Sequence, residues 1–265
     1  MFKEQVVWIT GGSSGIGEAL AYQFASEESK IVLSARREEE LNRVRDGCIS
    51  RGLDPEHVLV LPLDVTSYGS MPVAAHRVMQ TFGRIDMLIN NAGISQRSLC
   101  VDTDFSVYQQ IFEVDVLGQI ALTQQVLPIM IKQGSGHIAI TSSVAGKIGV
   151  PYRTGYCAAK HAVMGFFDAL RGEVAHQGIK VTTITPGYIQ TNISVSALKG
   201  DGSTFDRVDK NIAGGMDVNR CADVIMREFR KGTPEIAVGE GFEMKGLWLK
   251  RFFPGLVFKK VATMV

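Results

Sequence analysis

Short apolar runs at 6–10, 31–34, 58–63, 87–90, 136–141, 181–185 and 235–238 predict strands. Strands covered on both faces of a parallel sheet read as continuous apolar segments rather than as alternating ones. Between them, apolar residues recur at helical spacing over 15–26, 38–50, 70–82, 105–132, 154–176 and 219–231. This alternation predicts an α/β fold: a Rossmann-type doubly wound parallel sheet of about seven strands with helices on both faces. No internal repeat or low-complexity linker divides the chain, so residues 1–265 read as a single domain.

Two segments break the rhythm. In 188–216, Gly200, Gly202, Gly214 and Gly215 flank polar residues, and a mobile insertion acting as a substrate lid is expected. The tail, 246–265, mixes Trp248, Leu249, Phe252, Phe253, Leu256, Val257 and Phe258 with Lys250, Arg251, Lys259 and Lys260. Pro254 and Gly255 interrupt it, so one continuous amphipathic helix is not expected there.

Composition narrows the class. A chain of 265 residues with 45% hydrophobic content can bury one large core. Lys plus Arg number 28 against 27 Asp plus Glu, and a net charge of +1 argues against a nucleic-acid surface. Cys48, Cys100, Cys157 and Cys221 form neither a C-x-x-C pair nor a disulfide framework. They read as reduced thiols of a cytoplasmic protein, and no metal site is expected. The N-terminus lacks the pattern of an export signal. No uncharged apolar run approaches the roughly 20 residues that span a bilayer.

The candidate chemistry lies in three places. Tyr156 and Lys160 stand four apart in a predicted helix, on one face, so the ammonium lies beside the phenol and favours its ionised form. Ser143 stands thirteen residues upstream of Tyr156. Near the N-terminus, Gly11-Gly12-Ser13-Ser14-Gly15-Ile16-Gly17 follows a predicted strand and opens a predicted helix. Gly11 permits a tight bend, Gly15 lets backbone approach a ligand, Gly17 lets helix and sheet pack closely, and the free amides suit a pyrophosphate. After the second strand come Arg36 and Arg37, where NAD-binding proteins usually place an acid for the ribose hydroxyl. A guanidinium there, helped by Ser13, suits a 2′-phosphate, so NADP(H) is expected, with a solvated helix start as the other reading. Asp64 and Val65 follow the third strand, against an adenine or, for Asp64, as a helix cap.

Taken together with Asn90-Asn91-Ala92-Gly93 and Pro186-Gly187 with Thr191, this order of motifs resembles the short-chain dehydrogenase/reductase family over about residues 6–238. Within it, 155–172 looks most like the dehydrogenase/reductase member 7 and 7B group and its bacterial relatives. The resemblance implies that Tyr156 exchanges a proton with a carbonyl or alcohol oxygen while hydride passes between nicotinamide and carbon. Lys160 would hold the nicotinamide ribose, and Ser143 would donate to the substrate oxygen. Asn91, Ala92 and Gly93 would line the cofactor wall, and Pro186, Gly187, Ile189 and Thr191 would hold the carboxamide.

One position departs from the family. Asp115 stands where relatives usually carry an asparagine that holds a water linking the catalytic lysine to solvent. A carboxylate there keeps that water with an altered pH dependence, pairs directly with Lys160, or is a tolerated near-isostere. Val144, Ile148, Val150, Pro151 and Tyr152 suggest an apolar wall and a hydrophobic ketone, aldehyde or alcohol substrate. A homodimer or homotetramer is expected. The tail is expected to contact another subunit near the substrate mouth, with peripheral membrane binding as the alternative. A non-catalytic NADP(H)-binding sensor and a sugar-nucleotide epimerase are the rival function classes; the first has no need of Tyr156, Lys160 and Ser143, and the second usually carries a longer C-terminal substrate domain.

Overall fold

Described for residues 1–264 in a computed structural model, the chain forms one seven-stranded parallel sheet; Val265, the last tail residue, lies outside the described residues. Along the chain run β1 (Val6–Thr10), α1 (Gly15–Ser26), β2 (Lys30–Ser34), α2 (Glu38–Ile49), β3 (Val58–Val60), α3 (Met71–Phe82) and β4 (Met87–Asn90). Then follow α4 (Phe105–Phe112), α5 (Gly118–Gln133), β5 (Gly136–Thr141), α6 (Thr154–Val174) and β6 (Ile179–Pro186). Last come α7 (Lys210–Ala213), α8 (Val218–Lys231), β7 (Glu235–Val238), α9 (Phe242–Phe252) and α10 (Pro254–Val261).

The spatial strand order is β3-β2-β1-β4-β5-β6-β7, so the winding reverses between β1 and β4. Crevices at such reversals, beyond the carboxyl ends of the strands, are where doubly wound sheets bind ligands. All five residues of β1 are buried, because helices cover both sheet faces. One layer buries Leu20 and Phe24 of α1 with Ile225 and Phe229 of α8. The other buries Val78 of α3, Leu122 and Val126 of α5, and Phe167 of α6.

Three elements depart from the sequence expectations. β3 stops at Val60 rather than 63, although the Leu61 and Leu63 amides still donate to the Leu33 and Ala35 carbonyls; Pro62 between them is tolerated because this is an edge strand and its nitrogen faces away from β2. β6 outruns its apolar core because it is paired on both sides, so exposed Lys180 is carried along. The helix expected over 105–132 is two helices joined by a π turn, Glu113–Leu117. Within 105–133, an 18-residue window reaches a mean hydropathy of 1.4, apolar and long enough by composition to cross a bilayer; Val107, Ile111, Leu122, Val126 and Met130 of this stretch instead pack into the core. The tail agrees with its expectation: it is broken at Phe253, as Pro254 and Gly255 predict, and folds into the helical hairpin α9–α10.

Candidate functional site

The glycine turn is held by contacts that leave no room for side chains. Gly11 and Gly15 have φ of +64° and +58°, the left-handed region that glycine adopts freely. A Cβ on Gly17 would overlap the Gly11 carbonyl oxygen and lie 2.6 Å from Asn91 Nδ2. Asn91 spends its side chain on this bend, donating from Nδ2 to the carbonyls of Thr10 (3.2 Å) and Gly11 (3.3 Å) and accepting from Thr141 Oγ1 (3.1 Å). Thr10 Oγ1 in turn accepts from the amides of Asn91 and Ala92. The ends of β1, β4 and β5 are thereby tied together.

Ser14 makes no side-chain cap to α1, so the first-turn amides of a 12-residue helix remain open to an anion. A dinucleotide therefore fits this turn. Gly11, Ser13, Ser14, Gly15 and Ile16 border one cleft of about 1730 Å³, while Gly17 lies behind them in the helix packing. That volume exceeds the roughly 300–1,000 Å³ of a site for one small ligand, as a cofactor and a substrate together require.

Arg36 and Arg37 stand at the cleft edge, exposed, with no ion pair or side-chain hydrogen bond among the described residues. Asp64 Oδ1 accepts from the Thr66 amide (2.9 Å) and hydroxyl (2.8 Å), which is the cap-like turn. Burial opposes charge on Asp64, but these bonds and nearby Arg36 hold its carboxyl below the ordinary range. Val65 is buried beside it. At the opposite wall lie Pro186, Gly187, Ile189 and Thr191, with Thr191 packed beside Gly15.

Tyr156 and Lys160 lie on the buried face of α6. The start of α6 is fixed by Gln96, whose Oε1 accepts from the Gly155 amide at 2.7 Å. The Tyr156 phenol borders the cleft and makes no protein hydrogen bond among the described residues, and Lys160 Nζ lies 5.6 Å from its ring centre. Ser143 Oγ accepts from the Ala145 amide (3.1 Å), leaving its own O–H free to donate into the cleft.

Lys160 Nζ donates to the Thr141 carbonyl (3.0 Å) and forms an ion pair with Asp115 Oδ2 at 3.1 Å. Asp115 is fully buried; its Oδ1 accepts from the Ile94 amide at 2.8 Å. Of the arrangements open to Asp115, the direct pair is the one observed. Burial drives the Asp115 carboxyl above its ordinary range, opposed by Lys160 and the Ile94 amide. Burial would lower Lys160, but Asp115 and, less strongly, Tyr156 hold it above the ordinary lysine value. The π turn carries Asp115, and glycine at 93 leaves space for the pair: a Cβ there would sit 3.2 Å from Oδ2 and 3.3 Å from Nζ.

The segment 188–216 contains a short 3₁₀ turn, Asn192–Ser194, and α7, and takes part in three isolated β-bridges. It is latched by Asp209, a buried carboxylate that accepts from Arg97 and from Arg153 (3.3 Å). This latch, the Gln96 brace and the Glu243 carboxylate, which accepts from the Tyr188 amide at 3.2 Å, are absent from the sequence reading. Their partners are 55 to 112 residues apart, beyond any local pattern. Tyr152, at φ +65°, is a strained non-glycine residue on the cleft wall.

Known proteins resemble this chain in sequence and in fold. The profile of the family described as short chain dehydrogenase matches residues 5–201. Dehydrogenase/reductase SDR family member 7 of Homo sapiens is 43% identical over 95% of this chain and 75% of its own length. Member 7B of Mus musculus is 38% identical over 98% and 81% respectively. A short-chain dehydrogenase/reductase from Burkholderia phymatum, solved in complex with NAD, superposes with a TM-score of 0.84 over 96% of this chain and 95% of that one; at 23% identity it speaks for the fold alone. Sequence kinship along most of its length thus agrees with the fold and with a cleft shaped for a dinucleotide, and the chain belongs to the short-chain dehydrogenase/reductase family of oxidoreductases, which bind a nicotinamide cofactor.

Proposed function

We propose that the protein is an NADP(H)-dependent oxidoreductase that interconverts a hydrophobic ketone or aldehyde with its alcohol. The observation that carries this reading is the unpartnered Tyr156 phenol beside Lys160, in the same cleft as the glycine turn and two unpaired arginines. The bound nicotinamide supplies or receives the hydride.

The protein's own groups do the rest. Arg36 and Arg37 offer paired donors to a 2′-phosphate, and the open amides of α1 receive the pyrophosphate. In reduction, Ser143 donates a hydrogen bond to the carbonyl oxygen as negative charge develops there, and Tyr156 Oη transfers its proton to that oxygen. In oxidation the same oxygen returns its proton to the tyrosinate. Lys160 steadies the phenolate, but Asp115 at 3.1 Å offsets part of its charge, so the pair tunes rather than maximises that effect. Val144, Ile148 and Val150 make the substrate wall apolar, which favours a hydrophobic carbonyl.

The test is oxidation of NADPH and of NADH by the purified chain against a panel of hydrophobic ketones, dicarbonyls, steroids and keto-lipids. Turnover preferring NADPH and reduced about 10²–10⁴-fold by Tyr156→Phe is expected. Tight NADPH binding without turnover on any carbonyl would favour the sensor reading, with the Asp115–Lys160 pair as its physical basis.

A further inference from the structure

The α9–α10 hairpin has two unlike faces. Its inner side packs Leu247, Leu249, Val257 and Val261 against Val144 and Ile148, the segment that follows Ser143. On its outer side Trp248, Phe252, Phe253, Leu256 and Phe258 are between 54% and 71% exposed. The Trp248 and Phe252 rings stack at 6.0 Å, and Lys250 Nζ lies 3.9 Å from the centre of Phe258. Single exposed apolar residues are ordinary; a cluster of large ones within two short helices marks an interaction surface.

Charge identifies the partner. Lys245, Lys250, Arg251 and Lys259 share these two helices with the rings, Lys260 lies at the cleft edge, and none of the five is ion-paired among the described residues. The single acid in 242–264, Glu243, is turned toward the lid, where it accepts from the Tyr188 amide. Protein interfaces are depleted in lysine, whereas an anionic leaflet attracts Lys and Arg and seats aromatic rings at headgroup level.

We propose that the outer face of this hairpin docks on an anionic lipid surface, against the subunit contact favoured by sequence. The same hairpin borders the cleft through Leu249, Val257, Lys260, Val261 and Met264, so docking places the substrate entrance where hydrophobic carbonyls partition. This last step, unlike docking itself, rests on the substrate class proposed above.

The test sediments the purified full chain, without substrate, with phosphatidylcholine vesicles and with vesicles that also contain phosphatidylserine. Pelleting with the anionic vesicles alone is expected, weakening as salt rises. Arg251→Glu/Lys259→Glu and Trp248→Ser/Phe252→Ser should each weaken it about tenfold or more, with thermal unfolding and NADPH-induced stabilisation unchanged. Protein left in the supernatant at every composition overturns the proposal, as does equal pelleting with neutral vesicles or indifference to charge reversal. So does a solution dimer broken by the aromatic variant when no vesicle is bound. No turnover is read, so a failed reductase assignment and a failed docking surface give different results.

Discussion

The cofactor half and the substrate half of the cleft are built on opposite terms. Around the glycine turn, position is fixed by backbone: strand ends β1, β4 and β5 are tied through Asn91 and Thr10, and Gly17 has no space for even a methyl group. Over the substrate, position is fixed by a few side chains, with Asp209 held between Arg97 and Arg153 and the α9–α10 hairpin resting on Val144 and Ile148. The half fixed by backbone cannot change without losing its geometry, whereas the half fixed by side chains can change one latch at a time.

Breaking the backbone half should have the largest effect. Gly17→Val forces a branched side chain into the Gly11 carbonyl and should cost more than about 3 kcal/mol and abolish NADPH-induced stabilisation in thermal unfolding. Arg36→Asp keeps the turn but removes a guanidinium; the ratio of kcat/KM for NADPH over NADH should fall about 10–100-fold in steady-state assays. Asp115→Asn retains an acceptor for the Ile94 amide but removes the charge beside Lys160. Lys160, which that charge holds above its ordinary value, then titrates lower, and its charge acts unopposed on Tyr156. The alkaline limb of the pH–rate profile of alcohol oxidation should move toward acid, and an unmoved profile denies Asp115 any role. The smallest effect belongs to the latch. Asp209→Asn should raise KM for the carbonyl about 3–10-fold while NADPH affinity, measured by fluorescence titration, stays constant. A matching loss of cofactor affinity would erase the distinction between the halves.

The same contrast governs what the chain discloses before folding. β1, β4, β5 and β7 end where their apolar runs end, because a covered parallel strand writes its burial into consecutive residues. The glycine turn and the Tyr156/Lys160 spacing are equally local, and each falls on the predicted element. The direct Asp115–Lys160 pair is one of three arrangements the sequence leaves open; the π turn that carries Asp115 is what periodicity at 3.6 residues does not register. The Asp209 latch and the Gln96 brace join distant segments through single polar residues, which a one-dimensional pattern cannot connect.

That π turn also makes the Asp115–Lys160 pair a matter of phase. One surplus residue rotates everything downstream by about 100°, so α4 leans on α6 while α5 turns its apolar stripe toward α3. Deleting a single residue within 113–117 would let the two helices anneal into one, swing the carboxylate off the lysine, and leave the composition of the segment almost untouched. The ion pair beneath the tyrosine is thus encoded by the length of a helix as much as by its letters, and a relative one residue shorter there would lack it even with an aspartate aligned.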